Sequence, residues 1–441
     1  MISYRLIGKL KYEMKLLKNL EIIYIYSINV CFQSNLFILK ILLITKDITY
    51  MKGWIALKNV LLKNGVLYDV ETSEYNKKDI IIKNGKISEI GENLSGEFQE
   101  NEVIDLRDKL VFPGFIDCHT HLGIIEECTG KIGADNNETS NPVTPHLNGI
   151  DGINPFDVSF KDAIRSGITC VMSGPGSNNV VGGRNVALKT CGTIIDKMII
   201  KNPAGFKISL GENPISTYGI NDKCPVTRMG IAALIRELFM RTEDYIARKE
   251  NKKLEERDIR LEAVIPLLKG EIPLRVHAHR ADDIVTAVRI AEEFKISKMV
   301  IEHGTEAHLV KSYLKEKNIP VAYGPLLTPR IKMELKARNY GSIVELIEAG
   351  VKTALITDHP YNSIDCLRTV AAIALAQGLS FKDAIKAITI NAAEIINCDE
   401  IIGKLDVGYD ADIVVYDSNP LDINSKVQFT LINGEIVFAR E

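Results

Sequence analysis

The sequence predicts an α/β protein, a (β/α)8 TIM-like barrel with a small β-sandwich built from both termini. Three observations carry this. Between Val111 and Thr357, short apolar runs alternate with stretches of helical spacing, the pattern of βα units around a parallel sheet. Upstream, Trp54 to Phe112 alternates apolar and polar residues in short runs split by Asn-Gly turns. The far end, Asp412–Tyr416, Val427–Ile432 and Glu435–Phe438, repeats that style. The boundaries follow from these shifts: residues 1–50 form an N-terminal extension outside the functional domain, 51–112 and 400–441 a composite β-sandwich, and 113–399 the barrel.

Taken in order, the first fifty residues are rich in Ile, Leu, Tyr, Lys and Asn, with no glycine beyond Gly8. Their uncharged run Ile22–Leu39 holds Ser27, Asn29, Gln33, Ser34 and Asn35, too polar for a membrane span, which wants ~20 predominantly apolar residues. The working protein is expected to begin at Met51. Val60–Leu62, Val66–Asp69, Asp79–Ile82, Lys86–Ile90 and Glu102–Asp105 read as strands, with Lys63-Asn64-Gly65 and Lys83-Asn84-Gly85 as tight turns, because Asn-Gly reaches positive φ cheaply. Barrel strands are expected at Val111–His119, Thr169–Met172, Thr193–Ile199, Gly205–Leu210, Leu274–His277, Met299–His303, Pro320–Tyr323 and Thr353–Thr357. Ala163–Gly167, Met229–Lys249, Ala281–Phe294, Glu306–Lys317, Ser342–Ala349, Cys366–Gln377 and Phe381–Ile396 carry helical spacing. Asn433-Gly434 closes the last hairpin.

A chain of 441 residues has room for a large α/β barrel with an appendage. Its net charge is −3 with both signs interspersed, so it lacks the electrostatic footprint of a nucleic-acid binder, and no membrane association is expected. A small-molecule partner fits better, and a homo-oligomer is compatible with the sequence. The eight cysteines are scattered without a Cys-x-x-Cys pair, which points to reduced thiols in a cytoplasmic protein. Cys118, facing away from its histidine neighbours by alternation, reads as core.

Chemistry concentrates at the carboxyl ends of the expected strands, where barrels place their catalytic groups. Pro113-Gly-Phe-Ile-Asp-Cys-His-Thr-His-Leu-Gly123 delivers His119 and His121, which leave one face of a strand as i and i+2. An isolated His-x-His is more often a surface loop, but four later segments supply companions. Gly205-Phe-Lys-Ile-Ser-Leu-Gly offers Lys207, Arg275-Val-His-Ala-His-Arg280 offers His277 and His279, Ile301-Glu-His-Gly304 offers His303, and Ile356-Thr-Asp-His-Pro360 offers Asp358. A lysine inside a barrel is costly unless paired or modified. Nitrogen and carboxylate donors of this kind suit Zn²⁺ and its neighbours. His279 is assigned to the substrate or to support of a ligand, and His359, pointing the other way from Asp358, to structure. His146, in the long loop Glu126–Pro155, is a candidate lid residue. The Gly-rich stretch Ser173–Asn179 with Val181-Gly-Gly-Arg184 has neither a dinucleotide fingerprint nor a P-loop. It reads as a flexible loop with Arg184 as a substrate anchor. Tyr218, Arg228 and Arg280 are further candidates for pairing with a substrate carboxylate, against the blander alternative of surface ion pairs. No Gly-x-Ser-x-Gly elbow occurs, which disfavours a serine hydrolase.

From Met51 onward the chain resembles the amidohydrolase superfamily of metal-dependent hydrolases, and more closely its imidazolonepropionase-like and dipeptidase-like branch. The motifs are Pro113-Gly-Phe-Ile-Asp-Cys-His-Thr-His121, Phe206-Lys-Ile, Val276-His277-Ala-His279, Glu302-His303-Gly304, Thr357-Asp358 and Ile402-Gly-Lys-Leu-Asp-Val-Gly-Tyr-Asp-Ala-Asp-Ile413. The resemblance implies two divalent metal ions, zinc foremost: one held by His119, His121 and Asp358, the other by His277 and His303. Lys207 would bridge them as a CO2-derived carbamate. Glu212 is the alternative bridging ligand, a carboxylate already, but past the strand end and of opposite alternation. Without a bridge the site is mononuclear, using His119, His121, His277 and Asp358. The implied activity is cleavage of a C–N bond in a small amide, cyclic amide or dipeptide by metal-activated hydroxide, with Asp358 carrying the proton. The alternatives are a mononuclear imidazolonepropionase- or deaminase-type ring hydrolase and a non-catalytic assembly protein on the same fold. The last requires missing ligands, and none is missing.

Overall fold

The computed structural model describes residues 59–440 apart from 222, 254 and 255. The expectations for the extension, its run Ile22–Leu39 and a start at Met51 lie outside the described residues.

Two sheets organise the chain. The first takes its strands from both ends: β1 (Asn59–Tyr68), β2 (Tyr75–Lys83), β3 (Lys86–Gly91), β4 (Val103–Asp105) and β5 (Leu110–Pro113) from one, and β14 (Ile413–Tyr416), β15 (Val427–Ile432) and β16 (Glu435–Ala439) from the other. Their order is β16-β15-β14-β5-β1-β2-β3, with β4 also on β1. The join between the ends is antiparallel, Pro113 opposite Ile413 and Leu110 opposite Tyr416. Alternation puts Val60, Leu62, Ile80, Ile82, Val111, Ile413, Val415 and Leu431 into one apolar cluster, so neither half has a core without the other. Two Asn-Gly pairs turn hairpins as expected, Asn84-Gly85 and Asn433-Gly434, all four residues at positive φ. Lys63-Asn64-Gly65 does not. There β1 continues past a bulge between Leu62 and Gly65, because the Asn64 N–H is taken by Asp79 Oδ1 at 2.8 Å, and the two expected strands are one.

The second sheet is the barrel wall: β6 (Phe115–Thr120), β7 (Ile168–Ser173), β8 (Val181–Lys189), β9 (Ile199–Ser209), β10 (Leu274–Ala278), β11 (Met299–His303), β12 (Val321–Tyr323) and β13 (Thr353–Leu355), in sequence order. The chain enters it through Gly114, where an added Cβ would lie 2.1 Å from Thr169 Oγ1; only glycine fits so close an approach. The wall is nearly closed. At the seam a side chain replaces a ladder, with Asp117 Oδ2 accepting the Thr357 N–H at 3.0 Å.

One strand departs from expectation. Thr193–Ile199 is not the third strand, since Ile195–Met198 is a helical turn, and the third place is taken by β8, antiparallel to β7 and β9. The expected flexible loop around Arg184 is therefore a strand. Its glycines serve close approach: Gly183 sits at φ +115, and a Cβ there would lie 2.4 Å from Leu147 O. That contact lets residues 143–148 bridge onto β8 at Val181 and Arg184. The helices fall near their expected places, Val158–Arg165, Arg228–Glu250, Ala281–Glu293, Ser342–Glu348 and Leu367–Ala376 among them. No helix among the described residues is long and apolar enough to cross a membrane.

Candidate metal centre

The carboxyl ends of β6, β9, β10, β11 and β13 converge on one cleft of about 240 Å³, lined by His119, His121, Lys207, His277, His279, His303 and Asp358. Five separate strands thus deliver the seven side chains singled out by their spacing. Ligand-capable atoms of His119, His121 and Asp358 lie within 4.8 Å of one another, and so do those of His277, His279 and His303. Asp358 Oδ1 stands 3.1 Å from His119 Nε2 and 3.4 Å from His121 Nε2. Backbone carbonyls aim two of the rings: His121 Nδ1 meets Gly174 O at 2.8 Å and His303 Nδ1 meets Gly324 O at 2.9 Å. That contact fixes which nitrogen is left for the cleft. His303 and Asp358 both sit at positive φ, +72 and +53, a conformation that non-glycine residues keep where function holds it.

The electrostatics suit a cation. Burial first, then the neighbouring positive groups, hold the His277 and His279 imidazoles well below their ordinary range, and burial takes His303 down to about 3. Burial alone would raise Asp358, but His303 and the close approach of the His119 and His121 rings outweigh it and keep the carboxyl ionised. Neutral imidazoles at His277, His279 and His303 are the donor state that a divalent ion requires, whereas Glu302, against burial, pushes the His119 imidazole up. Buried atoms left without a hydrogen-bond partner mark where it belongs: Nε2 of His119, Nδ1 of His277 and Oδ1 of Asp358. In a dry interior such orphans are costly, and an ion would satisfy them. The donor set of imidazole nitrogens and a carboxylate oxygen fits Zn²⁺.

A solved amidohydrolase from Thermotoga maritima is 42% identical to this chain, covers 86% of it and all of its own length, and superposes with a TM-score of 0.83. The chain belongs to the amidohydrolase family. The model of that family matches residues 238–438. Amidohydrolase tasK of Hapsidospora irregularis is 26% identical over 82% of this chain, which spans 40% of that relative's length. An imidazolonepropionase of Picrophilus torridus is 24% identical over 81% of this chain and 91% of its own.

Several residues expected at this amidohydrolase cleft lie elsewhere. Glu212, the alternative bridge, heads the helical turn Glu212–Tyr218 and exchanges hydrogen bonds with Glu334, its Oε2 accepting the Glu334 N–H at 3.3 Å. Tyr218 is buried, its hydroxyl donating to Asn179 Oδ1 at 2.7 Å, so it braces the loop rather than meeting substrate. Arg228 pairs with Asp283 at 3.1 Å and Arg280 with Asp282 at 2.8 Å, outside the cleft. Arg184 is held by β8, its backbone N–H bonded to Leu147 O at 3.0 Å, and His146 lies beside Arg260, which together with burial lowers its pKa. Neither lines the cleft. His359 is structural as expected: it is fully buried, and its Nδ1 accepts the Ile364 N–H at 3.1 Å. His279, expected near substrate, stands in the second imidazole trio.

Other residues matter that the sequence reading passed over. Glu302 receives the Lys207 ammonium, accepts from Arg275 Nε at 2.8 Å and stands 3.0 Å from His119 Nδ1. The signal was a charge inside each of two apolar strands, since Arg275 precedes His277 by two and Glu302 precedes His303 by one. Asn213, Lys332 and Tyr361 also line the cleft. They come from loops whose course the sequence does not reveal.

Proposed function

We propose that this amidohydrolase cleaves the C–N bond of a small amide, cyclic amide or dipeptide at a binuclear metal centre. The observation that carries it is the convergence of two ligand trios with Lys207 in one cleft. His119, His121 and Asp358 would hold one ion, and His277 and His303 the other, with His279 in reach. Bound there, two Zn²⁺ ions supply hydroxide at neutral pH and polarise the scissile carbonyl. Asp358, ionised and facing the cleft, takes the proton from the attacking water and returns it to the leaving nitrogen.

Lys207 would serve as the bridging ligand after carbamate formation: the ammonium gives up a proton, the amine forms an N–C bond to CO2 as one C=O π bond opens onto oxygen, and a second proton leaves nitrogen, so a cation becomes a two-oxygen anion. Charge supports this. As an ammonium, Lys207 faces Glu302, a carboxylate that Arg275 already engages, and it would repel two incoming dications. Residues 59–112 and 400–440 serve as the β unit that carries the 113–399 barrel. Free thiols at seven described cysteines support a reducing, cytoplasmic setting.

The test is metal analysis of protein purified without chelator, followed by a screen of N-acyl amino acids, dipeptides and lactams. Two ions per chain and turnover that vanishes on chelation are expected. Asp358→Asn should retain metal and lose about 10²–10⁴-fold in kcat; near-normal turnover removes Asp358 from the proton path. A second reading is favoured by the similarity to imidazolonepropionase, namely one ion on His119, His121, His277 and Asp358. One metal per chain and ring-opening activity would select it.

A further inference from the structure

Between Gly324 and Gly341 the chain runs from β12 to the next helix and brings Lys332 to the cleft. Its side chain is 18% exposed. The ammonium donates to Asn213 Oδ1 at 2.8 Å and stands 3.3 Å from Glu334 Oε2. Asn213 turns its other amide atom the opposite way, with Nδ2 lying 3.4 Å from His277 Nε2 and 2.7 Å from Ser177 Oγ. One side-chain amide therefore separates a positive charge from the second imidazole trio.

Among the described residues, Lys332 and Lys207 are the lysines lining this cleft, and no arginine lines it. Lys207 is wholly buried among the ligands. The arginines that looked suited to an anion, Arg228 and Arg280, are engaged by Asp283 and Asp282. Glu334 does not neutralise Lys332 alone, because its other oxygen accepts the Glu212 N–H and faces Arg228 at 4.0 Å. The ammonium is left with donor capacity toward the cleft, since a lysine carries three N–H groups.

In an N-acyl amino acid the carboxylate sits on the carbon next to the leaving nitrogen. With the scissile carbonyl at the imidazoles, that carboxylate lies about one amide unit away, where Lys332 stands. Ile331 and Leu335 on the same loop supply an apolar wall beside it.

We propose that Lys332 is the specificity-determining residue that receives the carboxylate of the leaving amino acid. The substrate is accordingly an N-acyl amino acid or a dipeptide with a free carboxylate, rather than a neutral amide or lactam. This rests on the hydrolytic reading of the cleft given above.

The experiment compares a panel of N-acetyl amino acids with their matched carboxamides on the zinc-loaded full chain and on Lys332→Gln. The wild type should favour the acids by about 10–100-fold in kcat/KM, the worth of a hydrogen bond to a charged group. Lys332→Gln should lose that preference through KM, the acids falling by about 10–100-fold more than the amides, and Lys332→Arg should keep it. Equal losses for acids and amides, with zinc content intact, would make Lys332 a loop fastening through Asn213 and Glu334 and overturn the proposal. Should the Gln variant fail to fold, the wild type decides: product amino acids must inhibit more strongly than amino acid amides, and equal inhibition refutes the inference. Hydrolysis of acids and amides at equal rates defeats this inference alone, whereas hydrolysis of neither defeats the reaction as well.

Discussion

Lys189 and Lys207 stand on neighbouring strands of the same wall, β8 and β9, and both are buried, yet they meet different surroundings. Lys189 Nζ lies 2.6 Å from Asp412 Oδ2 and 3.0 Å from Asp410 Oδ2. Asp412 and Asp410 both answer this ammonium, Asp410 taking Lys86 on its other oxygen at 2.9 Å, and the contact ties the barrel to the sheet of the chain ends. Lys207 has Glu302, which also serves Arg275 and approaches His119. One carboxylate there is shared by Lys207 and Arg275, and the group opens on a cleft of imidazoles. The difference teaches how to tell the two uses of a buried charge apart: a balanced cluster with no cavity holds the fold, while an unbalanced one beside a cleft awaits a ligand or a covalent change.

Exchanging the roles of the two lysines sharpens this. Lys207→Met should remove one metal ion per chain and lower turnover by about 10²–10⁴-fold, the several kcal/mol of transition-state charge stabilisation assigned to such ions. In metal-stripped protein its thermal midpoint should fall less than that of Lys189→Met, because Glu302 keeps Arg275. Metal content, kcat and melting read on the same sample check all three. The converse variant, Lys189→Met, leaves buried Asp412 without its cation, at a cost of about 3–5 kcal/mol, while the partly exposed Asp410 keeps Lys86. Denaturant unfolding should show that loss while kcat per folded molecule stays unchanged. If Lys189→Met instead lost metal, the distinction between balanced and unbalanced clusters would fail.

Much of this was legible in the residues. The cleft histidines, Lys207 and Asp358 announce themselves because barrel strands put function at their carboxyl ends and i, i+2 spacing sets the face. Both genuine Asn-Gly hairpins were legible for a local reason, positive φ at low cost. What was not legible depended on long-range partners. Gly182-Gly183 reads as a loop until the approach of Leu147 shows that a strand needed room there. Arg228 and Arg280 look like free anchors until Asp283 and Asp282 claim them. Lys332 was overlooked because nothing in its neighbourhood in sequence indicates that its loop reaches Asn213, more than a hundred residues away.

The finest separation of the two lysines is a matter of pH. At Lys189, burial alone would lower the pKa, but Asp412 and then Asp410 outweigh it, and the value is raised above 10.5. Burial would raise Asp410, but Lys189, with hydrogen bonds from Lys86 and Lys189, holds it below 3.8. A raised lysine contributes stability in full below 10.5 and loses it as pH climbs through the higher folded value. A depressed aspartate contributes above 3.8 and loses it as pH drops through the lower folded value. The unfolding free energy of the wild type minus that of Lys189→Met should therefore be level from neutral pH to about pH 10 and shrink above it. Chemical unfolding at intervals across that range checks it, and a difference that sloped through neutral pH would mean that Lys189 answers to groups other than its two aspartates.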